Sequence, residues 1–313
     1  MANKITIIGA GQVGSTIAYS LAIKNFASEI LLIDIAKDRA MGEAMDIRQG
    51  TTFVGPVYVH DGDYDDAKDS NIVVITSGVA RKPGQSRLDL AQTNVNIMKS
   101  IIPLITKAAP NAFYVLVANP VDILTYQMVK TSGIPADHIV GTGTLLDTSR
   151  FRARLAEIYN VAAENVHGYV LGEHGDSSFV PWSLANIGSV PVDSYDKALE
   201  GEKAPALNKD EVEEYIRKSG GIIIAAKRCT NYAIGITTAT LCEKLNYQID
   251  SVLPVSTYLD GEYGIKDVCL SIPTVLSSKG VNGRLITKLT DQEVASLQHS
   301  AQCLKDVISQ LEF

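Results

Sequence analysis

The run Gly9-Ala10-Gly11-Gln12-Val13-Gly14 limits what this chain can fold into more than any other feature, because it joins an apolar segment at 5–8 to an amphipathic one at 13–24. Glycines at this spacing between a strand and a helix permit a tight turn, close approach of the main chain to a pyrophosphate, and tight packing of helix on strand. The helix N-terminus then offers free N–H groups and the positive end of its dipole to the phosphates. Such a turn alone serves many loops, but its setting adds weight. Asp34 follows Gly14 by 20 residues, at the end of the second expected strand. A carboxylate there accepts hydrogen bonds from the adenosine ribose hydroxyls and repels a 2′-phosphate, so the expected cofactor is NAD rather than NADP. The expected cofactor-binding positions are Gly9, Gly11, Gln12, Val13, Gly14 and Asp34.

The pattern around this turn repeats. Short β-branched runs at 5–8, 30–34, 57–59, 72–76, 113–117 and 138–141 alternate with helical periodicity at 13–24, 39–49, 88–108 and 122–131. Most of the strands are apolar throughout, which suits parallel strands covered on both faces. Strand and helix in alternation predict an α/β fold, a doubly wound parallel sheet of the Rossmann type. After about Thr142 the pattern changes. A helix at 145–159, a strand at 166–171, shorter β segments, a long helix at about 209–245 and a closing helix at 291–311 predict a mixed α+β domain. The expected division is a dinucleotide-binding domain at 1–142 and a substrate domain at 143–313, closely packed.

Composition narrows the partner classes. Hydrophobic residues are 46% and charged residues 20% of the 313, as in an ordered globular protein. A formal net charge of −7 without a basic block disfavours nucleic acid. The apolar run 222–226 is far too short for a bilayer, and the start of the chain carries no signal-like segment, so a cytoplasmic protein is expected. Cys229, Cys242, Cys269 and Cys303 form no Cys-x-x-Cys pair and have no histidine at ligand spacing. They read as reduced thiols, and no metal is expected.

Hydride transfer to a carbonyl needs a proton donor beside the oxygen, and histidine titrates near working pH. Among five histidines, His60 and His299 lie in polar surroundings, and His138 opens a strand. His174, in Gly172-Glu173-His174-Gly175-Asp176, follows an apolar strand where a side chain can project into a cleft. Asp147 and Arg150 are three residues apart on one helical face, flanked by Leu145, Leu146 and Phe151. A buried carboxylate can orient a histidine, and a buried arginine can grip a substrate carboxylate through two parallel hydrogen bonds.

Together the glycine turn, Asn119-Pro120-Val121-Asp122, the run 146–152, the run 172–176 and Ser256-Thr257-Tyr258-Leu259-Asp260-Gly261 resemble the L-lactate/malate dehydrogenase family, in its order and spacing over nearly the whole chain. The resemblance implies that His174 is the acid–base, that Asp147 holds its ring, and that Arg150 binds the substrate carboxylate. It also implies that Arg87, on a mobile loop at 78–87, closes over the substrate and polarises its carbonyl, and that Asn119 bonds near nicotinamide and substrate oxygen. Within the family, the residue six before the loop arginine sets specificity. Arg81 stands there, where a cation favours the second carboxylate of oxaloacetate, as in malate enzymes. Thr230, Glu173 and the segments 119–126, 181–183 and 260–264 instead resemble lactate enzymes, so pyruvate is the expected substrate, with oxaloacetate the alternative. Arg152 and His167 match positions that bind fructose 1,6-bisphosphate in allosteric bacterial members, and the resemblance implies a homotetramer. Two other classes are a non-catalytic NAD-binding protein, which would have lost the acid or the substrate arginine, and an NAD-dependent glycosidase, which would want a metal cluster.

Overall fold

The computed structural model describes residues 3–80, 86–201 and 204–313. Its first half alternates β1 (Lys4–Ile8), α1 (Gln12–Lys24), β2 (Glu29–Ile33), α2 (Lys37–Gly50), β3 (Tyr58–Asp61), β4 (Ile72–Ile75), α3 (Arg87–Ala108), β5 (Phe113–Leu116), α4 (Val121–Thr131) and β6 (Ile139–Gly141). These strands are parallel, in the order β3-β2-β1-β4-β5-β6. The order reverses at β1, and the glycine turn sits at that switch point, where open α/β sheets bind ligands. Every residue of β4 is buried, as are the last four of β1 and of β2. Both faces of the sheet are therefore covered, which explains why these segments are apolar without alternation.

The second half contributes α5 (Leu145–Tyr159), the short strands β7 (Val166–His167), β8 (Asn186–Ile187) and β9 (Val190–Pro191), the helices α6 (Tyr195–Ala198), α7 (Lys209–Lys227) and α8 (Tyr232–Asn246), the strands β10 (Ser251–Asp260), β11 (Lys266–Ser277) and β12 (Gly280–Arg284), and α9 (Asp291–Ile308). β10 to β12 do not form a sheet of their own. β10 joins the parallel sheet antiparallel to β6, with Ser256 opposite Gly141, making one sheet of nine strands.

Three expectations are corrected. The helix expected at 209–245 is two helices. Arg228 adopts a left-handed conformation (φ 71°) at the end of α7, and the chain then restarts as α8. Docking decides this: α8 lies against α1, where Asn231 donates to the Thr16 hydroxyl at 2.9 Å. The strand expected at 166–171 pairs only at 166–167, with Leu171 making one further bridge to Phe179, because the chain turns at Gly168. The long hairpin of β10 and β11 was not among the expected elements. Here Pro254 and Pro273 face each other across the hairpin.

Candidate active site

A cavity of about 420 Å³ opens between the C-terminal ends of the parallel strands and α5, α7 and α8. His174, Asp147, Arg150, Asn119 and Thr230 all line it. It meets a groove of about 710 Å³ that runs over the glycine turn to Asp34; Val13, Thr76, Gly78 and Val79 line both.

Local geometry explains the glycine turn. A Cβ on Gly14 would lie 1.8 Å from the Gly9 carbonyl oxygen, so α1 can approach the strand only with glycine there. A Cβ on Gly11 would meet open space, and no side chain caps the first N–H groups of α1. Those uncapped donors and the open side fit a pyrophosphate. Asp34 accepts the Ala10 N–H at 2.7 Å and the Ala36 N–H at 2.9 Å, which holds it at the far end of the groove.

The chemical end is built from α5 and the turn after β7. Asp147 is buried, and its two oxygens serve different partners: Oδ1 accepts from Arg150 Nη1 at 2.8 Å and Oδ2 from His174 Nδ1 at 2.6 Å. An ionised carboxylate can only accept, so Nδ1 carries a hydrogen and Nε2 is left to exchange a proton. The Asp147 carboxylate pushes the His174 pKa up to about 9, against the opposing effect of burial. Burial alone would raise Asp147, but the charges and hydrogen bonds of His174 and Arg150 outweigh it and hold that carboxyl below its usual range. Arg150 spends one bond on Asp147 and has other donors for a ligand.

The His174 turn is fixed from below. Gly172 (φ 93°) exchanges both main-chain hydrogen bonds with Ser271 of β11, each at 3.0 Å. The Glu173 N–H donates to Ser300 Oγ of α9 at 2.8 Å, and the His174 N–H to Asp122 Oδ2 of α4 at 2.7 Å. Thr230 reaches the cavity through the break between α7 and α8.

Arg87, the first residue of α3, lies at the rim and pairs with Asp176, both largely exposed. It does not line the cavity. Arg81 lies outside the described residues. Arg152 and His167 line a separate cavity of about 550 Å³ beside α5, with Arg152 donating to the Ala163 carbonyl at 3.3 Å.

Residues 3–141 match the family model for the lactate/malate dehydrogenase NAD-binding domain, and residues 144–312 that for the lactate/malate dehydrogenase alpha/beta C-terminal domain. The chain belongs to the lactate/malate dehydrogenase family. Among curated relatives, an L-lactate dehydrogenase of Thermoanaerobacter sp. is 42% identical over 310 residues, 99% of each chain. One of Clostridium perfringens is 44% identical over 310 residues, covering 99% of this chain and 98% of the relative. A crystal structure of the minor L-lactate dehydrogenase of Enterococcus mundtii in its ligands-bound form superposes with a TM-score of 0.94 at 37% identity, covering 100% of this chain and 99% of that one. Membership makes residues 3–141 an NAD-binding domain, as that match states.

Several side chains around this cavity were not among the expected site residues. Asn94, buried on α3, receives the Val79 N–H at 2.8 Å and donates to the Asn119 carbonyl at 2.6 Å, tying the base of the 78–87 segment to Asn119. Asp122 and Ser300 hold the histidine turn, and Asp176 pairs with Arg87. An acid in the first turn of a helix reads as a partner of the helix dipole, and a serine in α9 as ordinary surface. No local pattern separates such residues from those readings; only tertiary placement does.

Proposed function

We propose that this chain is an NAD-dependent L-lactate dehydrogenase that interconverts pyruvate and L-lactate, with His174 as acid–base. The observation that carries this reading is the Asp147 carboxylate joining His174 and Arg150 inside one cavity continuous with the nucleotide groove. Arg150 grips the pyruvate carboxylate with a forked pair of charge-assisted hydrogen bonds, which sets the keto group toward His174. The glycine turn and Asp34 would hold NADH, which when bound would supply the hydride that reduces the keto carbon. His174 gives the proton on Nε2 to the keto oxygen and retains the hydrogen on Nδ1, while Asp147 keeps the ring oriented and stabilises its cationic form. Asn119 lies within reach of the same cavity and donates to the substrate oxygen. Arg87 leaves Asp176 and turns inward over the bound substrate, polarising its carbonyl and excluding water. Thr230 narrows the wall facing the substrate methyl group. A non-catalytic NAD-binding protein is disfavoured because the acid, its orienting carboxylate and the substrate arginine are all present.

Arg81 favours a second reading, a malate dehydrogenase or a broad 2-keto acid reductase. We expect kcat/KM with NADH to be higher for pyruvate than for oxaloacetate, and Arg81→Gln to lower what oxaloacetate activity there is. A parent enzyme that prefers oxaloacetate would overturn the lactate assignment.

Arg152 and His167, converging on the cavity beside α5, support a fructose 1,6-bisphosphate effector site. The bisphosphate is expected to lower the pyruvate KM between pH 6 and 7.5, and an unchanged KM there sinks the idea. Exposed Tyr19 and Ile23 of α1, Met41 and Met45 of α2, and Tyr232 and Ile236 of α8 support the homotetramer that the family likeness implies. No helix among the described residues is long and apolar enough to cross a membrane, and a cytoplasmic location is part of this proposal.

A further inference from the structure

Asp122 is a carboxylate with 3% of its surface exposed, behind the turn that carries His174. Its Oδ2 accepts the His174 main-chain N–H at 2.7 Å. Among the described residues, its Oδ1 and the Ser256 hydroxyl of β10 are both buried without a well-formed hydrogen bond, although the hydroxyl stands near enough to favour the ionised carboxylate. Burying a carboxylate with one oxygen only loosely held is costly, and a neutral acceptor would bind one N–H at less expense. We propose that Asp122 is a positioning residue for the His174 turn whose buried charge also helps His174 keep its ring proton. This inference rests on the reading of His174 as the acid–base.

Among the described residues, the groups facing this pair are few. α5 presents Asp147 and Arg150, the turn itself Glu173 and Asp176, α7 Arg217 at the cavity wall, and β11 the buried Cys269. Asp147 touches the ring directly and dominates. Asp122 adds to it from the main-chain side, without touching the ring's working nitrogen. Ser300 gives a useful contrast, because it fixes the neighbouring Glu173 N–H at 2.8 Å and brings no charge. Burial lifts the Asp122 pKa to about 6, so its charge is present above that pH and faces His174 throughout the neutral and alkaline range.

Asp122→Asn keeps an oxygen to accept the His174 N–H and removes only the charge. In the holoenzyme, the ¹⁵N titration midpoint of His174 is expected to fall by about 0.5–1 pH unit. The alkaline limb of kcat/KM for pyruvate reduction should fall by the same amount, with the low-pH plateau within about threefold of the parent. Ser300→Ala should lower kcat without moving either midpoint. A His174 midpoint unchanged in Asp122→Asn overturns the inference. So does a parent ¹³C carboxyl signal showing Asp122 protonated up to pH 9, a measurement that needs no variant to fold. If the midpoint moves but the parent does not reduce pyruvate, the functional reading fails and this coupling stands.

Discussion

His174→Asn is expected to lower kcat/KM for pyruvate by about 100- to 10,000-fold, the range that a positioned general acid contributes. Asparagine can donate one hydrogen bond toward the substrate oxygen, but it cannot deliver a proton as the alkoxide forms. NADH affinity should change little, because the glycine turn and Asp34 lie at the other end of the groove. The pH profile adds a second reading. Reduction needs His174 protonated, and Asp147 pushes its pKa up to about 9. Pyruvate reduction in the parent should therefore hold below that pH and fall as pH rises through it, while lactate oxidation, which needs the neutral ring, should rise over the same range. Both limbs should vanish from the residual activity of the variant. A loss under tenfold, or a variant that keeps the parent's profile, would assign the proton to another group.

Arg150→Lys tests the other arm of the same carboxylate. Lysine keeps the charge but presents a single ammonium in place of a planar fork, so it cannot hold a carboxylate with two parallel bonds and also keep the 2.8 Å contact to Asp147. Losing one charge-assisted bond costs about 1.5–3 kcal/mol, which at about 1.4 kcal/mol per tenfold means a pyruvate KM raised about 10- to 100-fold. kcat should fall less, since the acid and its orienting carboxylate remain. Steady-state kinetics on both constants decide it. An unchanged KM would mean that the substrate carboxylate binds elsewhere.

The parts of this molecule legible in the sequence are those with local causes. The glycine turn, the apolar parallel strands and the helices α1 to α5 follow from backbone freedom and hydrophobic period, and the structure places them within a few residues of expectation. Asp147 and Arg150 were legible because three-residue spacing puts both on one helical face. What was not legible depends on partners distant in sequence. The break at 228–231 follows from docking of α8 on α1, and it is what brings Thr230 to the cavity, where an unbroken helix would not. The hairpin of β10 and β11, in which Pro254 stands opposite Pro273, rests on pairing that no local pattern shows. Asp122 stands inside a run that the sequence reading singled out, yet its burial against His174 is a tertiary fact. The Asp176 partner of Arg87 likewise belongs to the fold, since 89 residues separate the two.

The join between β6 and β10 bears on which motions can matter in turnover. The strand ends beneath the nucleotide groove and the strand from which the His174 turn hangs belong to one hydrogen-bonded sheet, through Gly141 and Ser256 on one side and Ser271 and Gly172 on the other. In the proposed reaction, the sides that give hydride and proton are thus joined through the hydrogen bonds of one sheet. The proposed reaction then assigns rearrangement during a catalytic cycle to parts outside that sheet, the start of α3 with Arg87 and the facing wall of α7. Substitutions there should tune the pace of turnover, whereas substitutions along the join should disturb alignment itself.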